Sequence, residues 1–537
     1  MTMSPQDSRL AEAHPPAVSA GWVVERATRP SRLFGANGLR TGPDGRIYIA
    51  QVSGSQISAV DVGTGLVQTV SPKGSDIVAP DDLAFDAAGN IYATEVLNGR
   101  VAVLDTGGHS RVLRADLPVA NGITIYRGRL FIGECRPGGR ILELDLSGGE
   151  PRVLLEDVPM PNAMEVGPDG LLYFPVMGAN EIWRIDPDGG GPAQVVATDL
   201  GVPDSVKFDP DGYIVSTQAH TGQVLRIDPR TGEKTVLAEL YPGLDNLTFV
   251  DGRLFVSNFS GEITEVLGPG RTRSLLPGGF NWPLDLAIGS DGNLYIADGP
   301  YLHVTSGEGT VHPVGMLFTP GFPGYTRGLT ASGAGEFTVT TSSGQVARFW
   351  PDRGESEVIA EGFDQLYGVA IAPGGAVVFV EQGTGRVLSA RSGRVEVLAS
   401  GLDRPVGVTI TSDGAVLVSE SGAGRIVTLG GSPPQPVVDG LGCPHGILVL
   451  DGRLYVVDVD ARALIEVDLA TGRRQTIASG LPVGAPPGVV PKPLLGMPPF
   501  SGPQGPFTGL AAGSDGTIFV SADAEGSVLA IRRAELR

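Results

Sequence analysis

Cysteine is almost missing from this chain. Its 537 residues include two, Cys135 and Cys443, set in different halves. That excludes a disulfide framework and a zinc cluster built on cysteine. Positive charge is scarce as well: 39 Lys plus Arg face 59 Asp plus Glu, a net charge of −20. Recognition of phosphates needs clustered Lys and Arg, so nucleic acid and anionic membrane surfaces are excluded as partners. Such a surface suits cations. No apolar run reaches the length of a membrane span. The opening MTMSPQDSRLAEAHPP has no apolar core of a secretion signal, so residues 1–19 are read as a loose tail. These absences lead us to expect a cytoplasmic protein, monomeric or a small homo-oligomer, acting on a small molecule.

Glycine and proline, by contrast, are plentiful, at 79 and 43, and they recur at intervals rather than in clusters. This is the punctuation of many short strands joined by tight turns. One phrase repeats along the chain, as PDSVKFDPDGYIVSTQAHTGQVLRIDPRTGEKTVLA, PNAMEVGPDGLLYFPVMGANEIWRIDPDGGGPAQVVA and PVGVTITSDGAVLVSESGAGRIVTL. Each copy begins with a residue placed just before an apolar strand, here called the lead position. Aligned, the lead residues are Asn37, Asp81, Asn121, Asn162, Asp204, Asp245, Leu284, Arg327, Tyr367, Val406, His445 and Thr508. Down to His445 they are 39–44 residues apart. The last step is 63, because a Pro/Gly-rich insert, 484–506, precedes Thr508. Asp-Gly pairs such as Asp169-Gly170, Asp211-Gly212 and Asp291-Gly292 join the first and second strands, where Gly supplies the positive φ. These aspartates are scaffold.

Four short strands per roughly 40–50 residues is the unit of a β-propeller blade. Twelve exceed one ring, so the sequence predicts an all-β chain of two tandem six-bladed propellers, over 20–268 and 269–537. The last blade lacks an outer strand. Trp22-Val23-Val24-Glu25, ahead of the first blade, is predicted to supply it.

The twelve lead residues then sort into two rings. All six of the first ring, Asn37, Asp81, Asn121, Asn162, Asp204 and Asp245, carry a carboxamide or carboxylate. The second ring shares the turns but not this pattern, so turn chemistry alone does not explain it. Hard oxygen donors converging on one axis suit Ca²⁺, and less readily Mg²⁺, Mn²⁺ or Zn²⁺. The competing reading is that these Asx side chains cap the strand starts by local hydrogen bonds. On the same face the second strands of the first ring end at residues that include Glu95 and Glu134, and His220 follows Gln218. Glu95, Glu134 and His220 are therefore acid–base candidates over a metal. Cys135 either lines the pocket or is a small buried thiol. In the second ring Glu381, Glu420 and Asp458 mark either a second polar pocket or a solvated face over a plugged pore.

The first ring resembles the senescence-marker-protein/gluconolactonase family, relatives of paraoxonases and strictosidine synthases, on NGITI at Asn121, PNAMEV at Asn162 and PDSVKF at Asp204. The resemblance implies one catalytic divalent cation, usually Ca²⁺, held by these three residues at the ring centre. It also implies that Asp204 serves as general base or nucleophile. The family's first ligand, a Glu, is replaced by Asn37 in ANGLRTGPDG, and Asp81 or Asp82 is the candidate for the lost charge. Strand endings such as IYATE are similar to those of streptogramin lyases, which are metal-dependent seven-bladed propellers. The expected activity is hydrolysis of a lactone or related cyclic ester. A metal-dependent lyase, isomerase or cyclase, and a non-enzymatic binding scaffold, stand as alternatives.

Overall fold

A computed structural model describes residues 8–10, 15–189, 191–305, 310–431, 433–486 and 488–534. Parts of the N-terminal tail and Pro487 of the insert thus lie outside the described residues. Twelve antiparallel sheets follow one another along the chain, eleven with four strands and one with five. The fold is all-β, two tandem six-bladed propellers, and no helix of the described residues is long and apolar enough to cross a membrane.

In the first ten blades the four strands lie in chain order from the channel outward. Blade 5 shows the pattern with Pro203–Phe208, Ile214–Gln218, Gln223–Ile227 and Lys234–Glu239. Its second strand is buried throughout, whereas the outermost is largely exposed. The cause is stacking: both faces of each sheet except those of the outer strand are covered by neighbouring blades. Core clusters accordingly join consecutive blades, as Tyr48 and Ile57 of blade 1 do with Leu83, Ile91 and Ala93 of blade 2.

Hydroxyl side chains near the end of the second strand stitch blade to blade. Ser257 Oγ accepts the Asn246 N–H at 2.9 Å and donates to the Asn37 carbonyl at 2.7 Å, which closes blade 6 onto blade 1. Ser521 makes the equivalent pair with the Gly509 N–H and the Leu284 carbonyl in the second ring. The residue after the lead position sits so close to the next blade that Gly is common there. A Cβ on Gly122 would lie 2.3 Å from the Asn162 carbonyl oxygen.

One compact unit comprises residues 32–281 with 489–498, the other 1–31, 282–488 and 499–537. The boundary differs from the expected 268/269 because blade 6 keeps its fourth strand, Arg271–Leu276. Trp22–Arg26 pairs antiparallel with Ser527–Arg533 and completes blade 12. The insert also divides. Residues 489–498 belong to the unit of the first ring, where Lys492 pairs with Asp76. Farther on, Gln504 and the Gly505 carbonyl cap the Arg327 guanidinium, which is 1% exposed. This part of the insert thus lies against one lead residue of the second ring.

Candidate functional site

Four of the six lead residues of the first propeller sit at a bulge, while Asn37 and Asn162 precede strands without one. Strand pairing in the first propeller skips between Pro80 and Leu83, Ala120 and Ile123, Pro203 and Val206, and Leu244 and Leu247. The skipped pairs are Asp81-Asp82, Asn121-Gly122, Asp204-Ser205 and Asp245-Asn246. A bulge frees a side chain from the ladder and re-aims it. The second propeller has the same skips around Arg327, Tyr367, Val406 and His445. The fold therefore supplies the bulge in both rings, and residue identity alone makes the first one an oxygen ring.

All six of its members are buried, between 3% and 8% exposed. Asn37 donates from Nδ2 to Asp245 Oδ2 at 3.0 Å, while its Oδ1 accepts the Val52 N–H at 3.2 Å. Asn162 donates from Nδ2 to Asp204 Oδ1 at 3.0 Å and to the Met177 sulfur at 3.1 Å. Its Oδ1 is buried without a partner. The Asp81 carboxylate makes no hydrogen bond among the described residues.

The three acids feel one another across the ring. Burial, then the neighbouring Asp82, lift Asp81 from the ordinary 3.8 to about 7. Burial, followed by Asp81 and Asp82, holds Asp204 well above the usual carboxylate range. Asp245 is raised likewise, by burial and then by Asp204 and Asp81, against one lowering contact from Asn37. No protein cation figures among these influences.

One layer deeper the charges do pair. Asp82 accepts the N–H groups of Leu83 at 2.8 Å and Ile123 at 3.1 Å, and the Asn246 amide at 3.1 Å. Burial raises its pKa, but Arg40 and Lys207 pull it back. Both cations also face Glu165, Arg40 at 2.8 Å and Lys207 at 3.4 Å. Asp82 is thus a latch in the channel wall, and Asp81 is the carboxylate of the pair that carries no hydrogen bond among the described residues. Asp285 forms the same latch in the second propeller, to Leu286 and Leu329. With no cation beside it, burial lifts Asp285 to about 7.

The acid–base candidates fare differently. Glu134 is fully buried and held by Arg136 and Arg140. Glu95 pairs with Arg100 at 2.6 Å and Asn98, though its Oε1 is left unpaired. Equivalent residues brace the loops leading into their own blades: Gln51 accepts the Phe34 N–H, Gln218 that of Gly201, Glu381 that of Asp364, and Glu420 that of Asp403. Glu95 and Glu134 are committed to arginines, and neither figures among the groups that shift the lead aspartates. His220 is partly buried in the loop after Ile214–Gln218, where its backbone N–H bonds the Gly201 carbonyl at 3.0 Å and its Nδ1 has no hydrogen-bond partner.

Two sulfurs do reach the ring. Cys135 lies 3.7 Å from the Met177 sulfur, and burial followed by Asp204, Asp81 and Asp245 raises its pKa well above the usual thiol value, with Asn121 bonding to it. The pattern offered no signal for Met177. Among the described residues no three His, Cys, Asp and Glu are drawn together closely enough to hold a metal by themselves. A cation here would therefore lean on the carboxamides. The free Asn162 Oδ1 and the unbonded Asp81 carboxylate are hard oxygen donors of the kind such an ion takes.

No curated protein matches the sequence. Among solved structures the chain is similar to a streptogramin B lyase, at 19% identity over 51% of this chain and 94% of that one, TM-score 0.39. It is similar to virginiamycin B lyase from Staphylococcus aureus at 16% identity, over 52% and 96%, TM-score 0.37. A chain of a nidogen/laminin complex is 22% identical over 37% and 78%, TM-score 0.35. Residues 116–250, the stretch that carries Asn121, Asn162, Asp204 and Asp245, match the family described as SMP-30/Gluconolactonase/LRE-like region.

Proposed function

We propose that the first propeller holds one divalent cation, most simply Ca²⁺, at its oxygen ring and there hydrolyses a lactone or related cyclic ester. The observation that supports this is the electrostatics of the ring. Three buried carboxylates stand without a protein cation, beside a buried carboxamide oxygen without a donor. Like charges in such surroundings either take up protons or are neutralised by a bound cation. Asp81, Asn121, Asn162 and Asp204 would hold it, and Asn37 would hold Asp245 in place.

When bound, the cation supplies a Lewis acid for the ester carbonyl. The remaining work falls to the chain. Asn162 fixes Asp204 through Oδ1, which leaves Oδ2 to take a proton from an attacking water. Burial that raises the Asp204 pKa makes it a stronger base than an exposed carboxylate once ionised. In the second ring the lead residue Arg327 is already bonded to Gln504 and the Gly505 carbonyl, which supports placing the chemistry in the first ring.

The test is turnover of a panel of simple lactones with and without chelator, alongside Asp204→Ala and elemental assay of the purified protein. Loss of activity in both arms is expected. Full activity after cation removal, or in Asp204→Ala, sinks the proposal. A product that gains no water would instead favour a lyase, isomerase or cyclase at the same ring, and a metal-free, inert protein a scaffold.

A further inference from the structure

The second propeller has an acidic recess that the proposed chemistry does not use. Asp298, Asp523 and Glu525 lie together in it, each buried. Much of their capacity is committed. Glu525 takes both arms of Arg26, at 2.8 and 2.9 Å. Asp298 Oδ1 accepts the Trp282 N–H at 2.6 Å and its Oδ2 faces His303 at 3.2 Å. Asp523 Oδ1 accepts the Gly484 N–H at 2.8 Å.

Arg9 enters the same recess and feels all three carboxylates. Its Nε donates to the Ala524 carbonyl at 3.2 Å and its Nη2 to the Asp523 carbonyl. Its own N–H bonds the Ser31 carbonyl at 2.8 Å. Two successive carbonyls thus meet two donors of one planar fork, a match a lysine ammonium does not reproduce. The recess is shaped for that plane. A Cβ on Gly526 would come 2.9 Å from Arg9 Cζ and 2.7 Å from Ser31 Oγ. Burial draws the Arg9 pKa down to about 10 against the opposing pull of Asp298, Asp523 and Glu525. Taken as a whole the residue is partly buried.

The geometry points to a guanidinium-binding pocket on the second propeller, built from the Asp523 and Ala524 carbonyls and the carboxylates of Asp298, Asp523 and Glu525. Arg9 is its resident occupant, and a guanidinium on a separate molecule fills the pocket when Arg9 is absent. This claim is independent of the cation in the first propeller.

Thermal melting of the full chain and of Arg9→Ala tests it, with methylguanidine, lysine and sodium chloride added at matched ionic strength. Arg9→Ala is expected to melt several degrees lower. Millimolar methylguanidine should restore it, while lysine and salt do not, and the parent chain should respond to none of them. No restoration, or equal restoration by lysine or salt, overturns the pocket. Arg9→Lys provides a second arm should Arg9→Ala fail to fold. It keeps the charge without the fork and should also melt lower and respond to methylguanidine. An Arg9→Lys protein that melts with the parent overturns the proposal as well.

Discussion

Replacing Asp81 by Asn separates charge from shape at the oxygen ring. Asp81 ionises near 3.8 in the unfolded chain and near 7 in the folded one. A raised carboxyl pKa means the unfolded chain loses its proton first. The folded state is therefore undisturbed below about pH 4, loses stability as pH climbs, and bears the full burden above about pH 7. The gap of roughly 3 units corresponds to about 4 kcal/mol as a ceiling, at 1.36 kcal/mol per unit. Water entering the ring would lower that figure. Asp81→Asn removes this burden and relieves Asp204 and Asp245, both of which are raised partly by Asp81. In chelator at pH 8, the variant should thus be more stable than the parent, by up to about 4 kcal/mol in urea unfolding. At pH 4 the advantage should vanish. Added Ca²⁺ should stabilise the parent strongly and the variant weakly. A variant that is less stable at pH 8, or equally favoured at both pH values, refutes the reasoning about uncompensated charge.

Other perturbations probe the scaffold apart from the site. Glu134→Gln breaks the contacts to Arg136 and Arg140 and should lower stability by about 2–3 kcal/mol, while cation affinity in equilibrium dialysis stays within about twofold. A collapse of affinity would return Glu134 to the site. Ser257→Ala strips partners from the Asn246 N–H and the Asn37 carbonyl where the first ring closes, and should cost about 2–4 kcal/mol in urea unfolding. Gly122→Ala would press a methyl onto the Asn162 carbonyl at 2.3 Å, so it should destabilise the chain and weaken cation binding together. Unchanged binding would show that the Asn162 backbone does not set the ring.

Much of this was legible in the repeats. The lead position, its six oxygen-bearing residues in the first ring and the Asp-Gly turns all follow from aligning copies, whereas the bulge at four of those leads is visible only in the strand pairing. So does the spare strand at Trp22, because blade 12 ends without a fourth. Glu95 misled through its neighbourhood: it precedes Asn98-Gly99-Arg100, and Glu381 and Glu420 precede Gly-Arg in the same way. Because that pattern occurs in both rings, it marks a brace, and the comparison that singled out Asp204 would have set Glu95 aside. Glu134 escaped this test because its arginines fall two and six residues on.

The sequence by itself determined the blades, their number and the ring of oxygens, because these are local: a turn needs its glycine, a strand its alternation, a lead position its register. The partners were decided only in three dimensions. Arg40, Glu165 and Lys207 come from three blades up to 167 residues apart, and nothing local says that they meet and hold Asp82. Arg9 reaches Asp523 across 514 positions. Charge compensation is a property of what surrounds a buried group, and that surrounding exists only once the rings have closed.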